Sequence, residues 1–196
     1  MKILISVTGE HTHRCLDAKN NLIKVINRQF CNPHIETIIA VHDCVEIPDT
    51  ECKLSVFGDL ENYMFKFKCL EHIRYHKLND ELTSDLYDIC FFVDSDKITH
   101  FDNIKLIDRL RPHDIVTINN HIHDDLRFYS PFISVADYFW YCNSVDFNIV
   151  STFFKNPPPH SKKSLLGDFF RTFDIPEHEQ MGYCFYLHLK VSGLKM

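Results

Sequence analysis

Tyr87-Asp88-Ile89-Cys90-Phe91-Phe92-Val93-Asp94-Ser95-Asp96 is the stretch on which the fold turns. Ile89 to Val93 is apolar throughout, as expected of a strand covered on both faces of a parallel sheet. It runs straight into two aspartates. In open α/β sheets ligands sit outside the carboxyl ends of the strands, so Asp94 and Asp96 stand where such a fold does its chemistry. Two neighbouring carboxylates cannot both be buried and charged without a partner. A hard divalent cation, Mg²⁺ or Mn²⁺, suits carboxylate oxygens and also binds diphosphate oxygens. The blander reading of Asp-x-Asp is a turn or helix cap, because Asp often starts helices.

Upstream, Ile3 to Val7 is a short apolar β-type run closed by Thr8-Gly9. After the polar stretch Glu10-His11-Thr12-His13-Arg14, the spacing predicts a helix over 15–30, with Leu22, Ile26 and Phe30 on one stripe. Asn32-Pro33 stops it, and Ile35 to Val41 reads as a second strand ending at His42-Asp43. Strand, helix, strand is the pattern of a βαβ unit. A further helix is expected from about Leu60 to His76 behind Gly58-Asp59.

Downstream, a short helix is expected with Phe101, Ile104, Ile107 and Leu110 inward, ended by Arg111-Pro112. Ile115 to Ile118 and Tyr138 to Cys142 read as strands. Ser144 is expected to cap a helix bearing Val145, Ile149 and Phe153. The stretch 156–163 reads as a loop. A last helix begins near Pro176, with Met181, Phe185 and Leu189 on one face and Gly193 as its C-terminal cap. Helices and strands alternate, so the class is α/β with a mostly parallel central sheet flanked by helices.

The chain has 196 residues, which suits a single domain over 1–196. Its formal net charge of −6 removes any bulk attraction to nucleic acid or to an anionic membrane. Charges interrupt every long apolar run, so no transmembrane segment is expected. The run after Met1-Lys2 is too short for a signal peptide. The 8 cysteines contain no Cys-x-x-Cys pair, which favours reduced thiols in a cytoplasmic protein.

Other residues can carry chemistry. Thr8, Gly9 and Arg14 follow the first strand, where backbone N–H groups and a forked guanidinium can hold a phosphate. Asp43 ends the second strand and can accept hydrogen bonds from a base or ribose. His121-Ile122-His123-Asp124-Asp125 has the composition of a zinc site, and it supports an alternative reading as a metal-dependent hydrolase. An exposed polar loop with ordinary histidines explains that cluster more simply. Glu177 and Glu179 open the last helix. They serve the helix dipole there, or one of them serves as a base for an acceptor hydroxyl. Core packing accounts for most of the 17 Phe and 8 Tyr.

With these segments in order, the chain resembles the small glycosyltransferase-like proteins of bacterial capsule clusters and large DNA viruses, which adopt the GT-A, Rossmann-like fold. The resemblance is carried by Ile3–Gly9 with Arg14, Tyr63–Leu70, Tyr87–Asp96, Ala136–Ser144 and Pro176–Met181. It implies metal-assisted transfer of a sugar from a nucleoside diphosphate sugar donor to a glycan or other hydroxyl acceptor, as in polysaccharide biosynthesis. Asp94 and Asp96 would meet the Mn²⁺ or Mg²⁺ and the diphosphate, and Glu177 or Glu179 would lie near the acceptor. Of those two, Glu179 is the expected base, because it leads into the apolar face that anchors the helix. A glycosyltransferase-like binding module without activity is the third reading.

Overall fold

Alternation decides how the strands are covered. Along the first strand, Ile3, Ile5 and Val7 point to one buried layer and Leu4 to another; along the acidic strand, Ile89, Phe91 and Val93 divide from Cys90 and Phe92 in the same way. A strand that is apolar on both faces can only lie inside a covered sheet, and in the computed structural model it does. The structure describes residues 1–41, 52–56, 87–118, 121–123, 132–155 and 177–196; within these, 52–56, 121–123, 132–134, 154–155, 177–179 and 181 are described by their backbone.

The strands are β1 (Lys2–Gly9), β2 (His34–Val41), β3 (Cys52–Val56), β4 (Ile89–Asp94), β5 (Ile115–Thr117), β6 (His121–His123), β7 (Phe132–Ser134) and β8 (Phe139–Cys142). The helices are α1 (Thr12–Gln29), α2 (Ser144–Ser151), which runs on into a 3-10 turn over Thr152–Lys155, and α3 (Glu177–Val191). Six strands form one sheet in the order β3-β2-β1-β4-β8-β5, and β6 and β7 form a separate antiparallel pair. β3, β2, β1 and β4 are parallel neighbours, whereas β8 runs antiparallel to both β4 and β5. The sheet is therefore mixed, and mostly parallel about its centre. One core layer lies beneath α1 and includes Leu22, Ile26 and Phe91. The other lies beneath α2 and α3 and includes Trp140, Phe147, Phe185 and Leu189.

Several expectations need correction. α1 starts at Thr12 rather than Cys15, with His11 extended at its N-cap and the Cys15 N–H donating to the His11 carbonyl. Thr12, His13 and Arg14 are thus the first helical turn. Their polarity reads as loop because no acid or capping side chain marks the start.

The helix expected around Phe101 to Leu110 is not formed. Its backbone is satisfied by distant side chains instead of an internal ladder. Gln29 Nε2 donates to the Ile104 carbonyl at 2.7 Å while Gln29 Oε1 accepts from Leu106 N at 2.8 Å. The Tyr141 hydroxyl accepts from Ile107 N at 2.9 Å, and Asn21 donates to the Thr99 carbonyl. Phe101 and Leu106 are buried, and Ile107 is 48% exposed.

The cap of α2 is Asn143, whose side chain accepts from Asp146 N, and Ser144 is the first helical residue. The buried face of α2 is Phe147 and Val150, continued by Phe153, and Val145 is exposed. At the other end of the chain Gly193 does cap α3. Its φ is +79°, Gly193 N donates to the Lys190 carbonyl and Leu194 N to the Leu189 carbonyl, as a Schellman turn requires.

The expected helix over 60–76 and the loop over 156–163 lie outside the described residues. Cys15, Cys31, Cys90, Cys142 and Cys184 form no disulfide. Among the described residues no helix is long and apolar enough to cross a membrane.

Candidate functional site

The chain places β2 and then β3 on one side of β1 and returns to place β4 on the other. The strand order therefore reverses between β1 and β4. The crevice at the carboxyl ends of these two strands is the topological switch point, where open α/β sheets bind ligands. Thr8 and Asp94 are register partners there, and Ser95 N donates to the Thr8 carbonyl at 2.8 Å, so the ladder continues one step beyond β4.

The acidic turn is pinned from every side. Asp94 Oδ1 accepts from Asp96 N at 3.0 Å, an Asx turn that folds the chain back on itself. The Asp94 carbonyl accepts from Lys97 N and Ile98 N, both at 3.1 Å, and Asp94 N donates to the Tyr138 carbonyl. Asp96 Oδ2 accepts from Glu10 N at 2.9 Å, and Arg14 Nη2 donates to the Asp96 main-chain carbonyl at 3.1 Å. Beneath the turn, Cys15 Sγ and Ser95 Oγ share a hydrogen bond at 3.2 Å. Thr8, Asp94 and Ser95 are buried.

Gly9 is what lets β1 and the turn close on each other. A Cβ built there would collide with Ser95 Oγ and would sit 3.1 Å from Cys15 Sγ and 3.3 Å from Asp96 Oδ1. Glycine at this position meets a demand for space, since real Cβ atoms do not approach so closely.

The electrostatics single out Asp96. Its Oδ1 is buried and accepts no hydrogen bond, and its carboxylate has no ion pair among the described residues. Desolvation pushes its pKa above the ordinary carboxylate value, and the nearby Asp94 and Glu10 charges push the same way. The Glu10 amide and Arg14 pull against them. A hard cation would relieve both the bare oxygen and the crowding of negative charge, so this oxygen set fits Mg²⁺ or Mn²⁺.

Of the residues the sequence singled out, Thr8, Gly9, Arg14, Asp94 and Asp96 come together in this crevice. Arg14 directs its guanidinium at a carbonyl of the acidic turn. Asp43 lies outside the described residues. Glu177 and Glu179 are in the first turn of α3, known here by its backbone. That helix ends near Lys195, which exchanges backbone hydrogen bonds with His113 and Ile115 at the start of β5, on the amino edge of the sheet. In its second turn the Gly182 carbonyl accepts from Val135 N, four residues before β8 enters at the carboxyl edge. The first turn of α3 therefore lies toward the same end of the sheet as the acidic turn. His121 and His123 are on β6, paired with β7, and Asp124 and Asp125 lie outside the described residues. No group of three or more metal-type ligands occurs among the described residues.

Sequence reasoning missed Ser95 and Cys15, which join the turn to α1, and the Glu10 amide, which fixes the Asp96 carboxylate. The available signal is Gly9, which the sequence offers as a phosphate-binding position and which the structure also uses for close packing against Ser95.

No family model matches this chain, and no curated protein matches it. Among solved structures the chain is similar to the apo-form glycosyltransferase GlyE of Streptococcus pneumoniae TIGR4, at 13% identity and a TM-score of 0.37. That match covers 95% of this chain and 43% of the other, so this chain spans less than half of that protein's length. At that identity and score the likeness assigns neither a family nor an activity.

Proposed function

We propose that this protein is a glycosyltransferase that takes a nucleoside diphosphate sugar as donor and a glycan or other hydroxyl compound as acceptor. One observation carries the reading: two carboxylates are pinned at the switch point of an α/β sheet, with the buried Asp96 Oδ1 left without a donor among the described residues. Asp96 and Asp94 would hold the Mn²⁺ or Mg²⁺. When bound, that cation neutralises charge gathering on the departing diphosphate.

The remaining roles belong to the chain itself. Ser95, Gly9 and the Glu10 amide keep the two carboxylates in place, so little reorganisation accompanies binding. Arg14, on the first turn of α1, adds positive charge beside the turn where a diphosphate would lie. Asp43 is assigned to the base or ribose. An inverting transfer needs a carboxylate within reach of the acceptor hydroxyl. Glu179 is assigned that proton, because it leads into the apolar face that anchors the helix, and Glu177 the helix dipole. Among the described residues no observation favours the hydrolase built on His121 and His123, or the inactive binding module.

The test is a thermal-shift screen of nucleoside diphosphates and their sugars, with and without Mn²⁺, followed by an assay for release of the nucleoside diphosphate. A ligand at about 100 times its Kd stabilises by roughly 2.7 kcal/mol, which is read as a clear rise in Tm. Donor turnover together with that rise supports a transferase, and the rise without turnover reduces the chain to a binding module. No Mn²⁺-dependent shift with any nucleotide overturns the reading.

A further inference from the structure

At the amino edge of the sheet, the end opposite the acidic turn, a tight turn leads into β5. Asp114 N donates to the Arg111 carbonyl at 3.0 Å, and Asp114 Oδ2 accepts from Arg111 N at 2.9 Å. Within this turn His113 has a φ of +70°, a left-handed conformation that residues other than glycine seldom hold. Three hydrogen bonds keep it there. His113 N donates to Asp146 Oδ2 at 2.7 Å, His113 Nδ1 donates to Asp146 Oδ1 at 2.9 Å, and the His113 carbonyl accepts from Lys195 N at 2.7 Å.

Asp146 is in the first turn of α2 and has no exposed surface. A helix N-terminus favours its ionised form. A carboxylate only accepts, so the imidazole proton is on Nδ1 and Nε2 carries the lone pair. The His113 side chain is 55% exposed, and with Nδ1 tied to a buried carboxylate the accessible edge of the ring is the one bearing Nε2. Among the described residues no other histidine is set this way. His34 meets Glu36 through Nε2 at 3.6 Å, His100 Nδ1 meets the Thr99 hydroxyl, and His188 Nε2 is engaged by the Ile149 carbonyl. Arg111 and Lys195 flank His113, are exposed, and form no ion pair among the described residues. An accessible imidazole with its proton fixed on the far nitrogen is a nucleophile, and the flanking cations favour an anionic electrophile.

We propose that His113 is a modification site, which accepts a phosphoryl group at Nε2 from a donor of the phosphoramidate class. The Nε2 lone pair forms the new N–P bond. The donor's own P–N bond breaks, and its electron pair leaves with the protonated nitrogen as an amine. The ring becomes cationic and keeps its Nδ1 proton, and the Asp146 carboxylate offsets that charge. Asp146 is thus a positioning residue. The site is independent of the acidic turn and of any nucleotide bound there.

The experiment incubates the full chain with potassium phosphoramidate at neutral pH, maps phosphohistidine by mass spectrometry, and identifies the phosphorylated nitrogen by ³¹P NMR. Phosphorylation is expected at Nε2 of His113, about tenfold faster than at His34 or His100, the scale on which a carboxylate partner changes imidazole reactivity. Asp146→Asn places an amide donor against Nδ1 and moves the ring proton to Nε2, so it should slow the reaction at His113 by about tenfold or more. The ¹⁵N shifts of the ring report that change of tautomer, and circular dichroism reports the fold. Phosphorylation of His113 no faster than of His100 in the wild-type chain, or at Nδ1, would overturn the proposal, as would an unchanged rate in a folded Asp146→Asn protein.

Discussion

Gly9→Ala adds a single methyl group at the most crowded point of the site. That methyl meets Ser95 Oγ, and Cys15 Sγ and Asp96 Oδ1 lie just beyond, at 3.1 and 3.3 Å. Ser95 has no exposed surface, and its hydroxyl is held by Cys15, so it cannot turn aside without losing that bond. Overpacking of this kind costs about 1–3 kcal/mol. In a chain of this length about 2 kcal/mol lowers Tm by roughly 4–8 °C. The cost belongs to one contact, so it can be isolated with a second substitution. Ser95→Ala removes the oxygen that collides and on its own should cost about 1 kcal/mol for the lost hydrogen bond. In the double variant the collision is gone, and its destabilisation should fall short of the sum of the two singles by at least about 1 kcal/mol. Urea denaturation of the four proteins measures this cycle. Additive effects, or a Gly9→Ala protein as stable as wild type, would refute the close approach of β1 to the acidic turn.

Asp96 sets a pH dependence. Its folded pKa is raised, so between the ordinary carboxylate value and the raised one the folded state binds more protons than the unfolded state, and stability falls as pH rises. Asp96→Asn should remove that fall and match or exceed wild type in urea at neutral pH; a steeper loss toward neutrality in the variant would contradict this. Asp146→Ala should destabilise by about 3 kcal/mol in urea. Its fully buried carboxylate accepts His113 N at 2.7 Å and pairs with His113 Nδ1 at 2.9 Å, and hydrogen bonds to charged groups are worth roughly 1.5–3 kcal/mol each. Gly193→Ala meets nothing within 4 Å but must hold a φ of +79°, so a loss of about 1–2 kcal/mol is expected from backbone conformation alone. In single-turnover transfer, Glu179→Gln should slow the chemical step with little change in donor affinity, while Glu177→Gln should be nearly silent; the reverse pattern moves the base to Glu177.

What could be read from the chain alone follows from where its information is local. β4 is a continuous run of five buried apolar positions ended by acids, and α3 carries its own stop in Gly193, so both are legible from a few neighbouring residues. β1 and β2 are legible for the same reason, and with them Thr8, Gly9, Arg14, Asp94 and Asp96, since residues that follow parallel strands share one edge. The direction of β8 is not legible, because Phe139-Trp140-Tyr141-Cys142 would fill a buried strand equally well either way. The segment after the acidic turn fails for a different reason. Its periodicity suits a helix, yet its amides are claimed by Gln29 and Tyr141, which come from 77 and 34 residues away. The bond between Cys15 and Ser95 spans 80 residues and has no local signature.

The central claim is that Asp94 and Asp96 hold a divalent cation at the switch point between β1 and β4. Electron paramagnetic resonance of Mn²⁺, titrated into wild-type protein with a nucleoside diphosphate present, counts bound cation directly. The account predicts one Mn²⁺ per chain. It also predicts a roughly ten- to hundredfold weaker affinity in Asp96→Asn, the cost of one charged contact of about 1.5–3 kcal/mol. Equal Mn²⁺ binding in wild type and Asp96→Asn would contradict it.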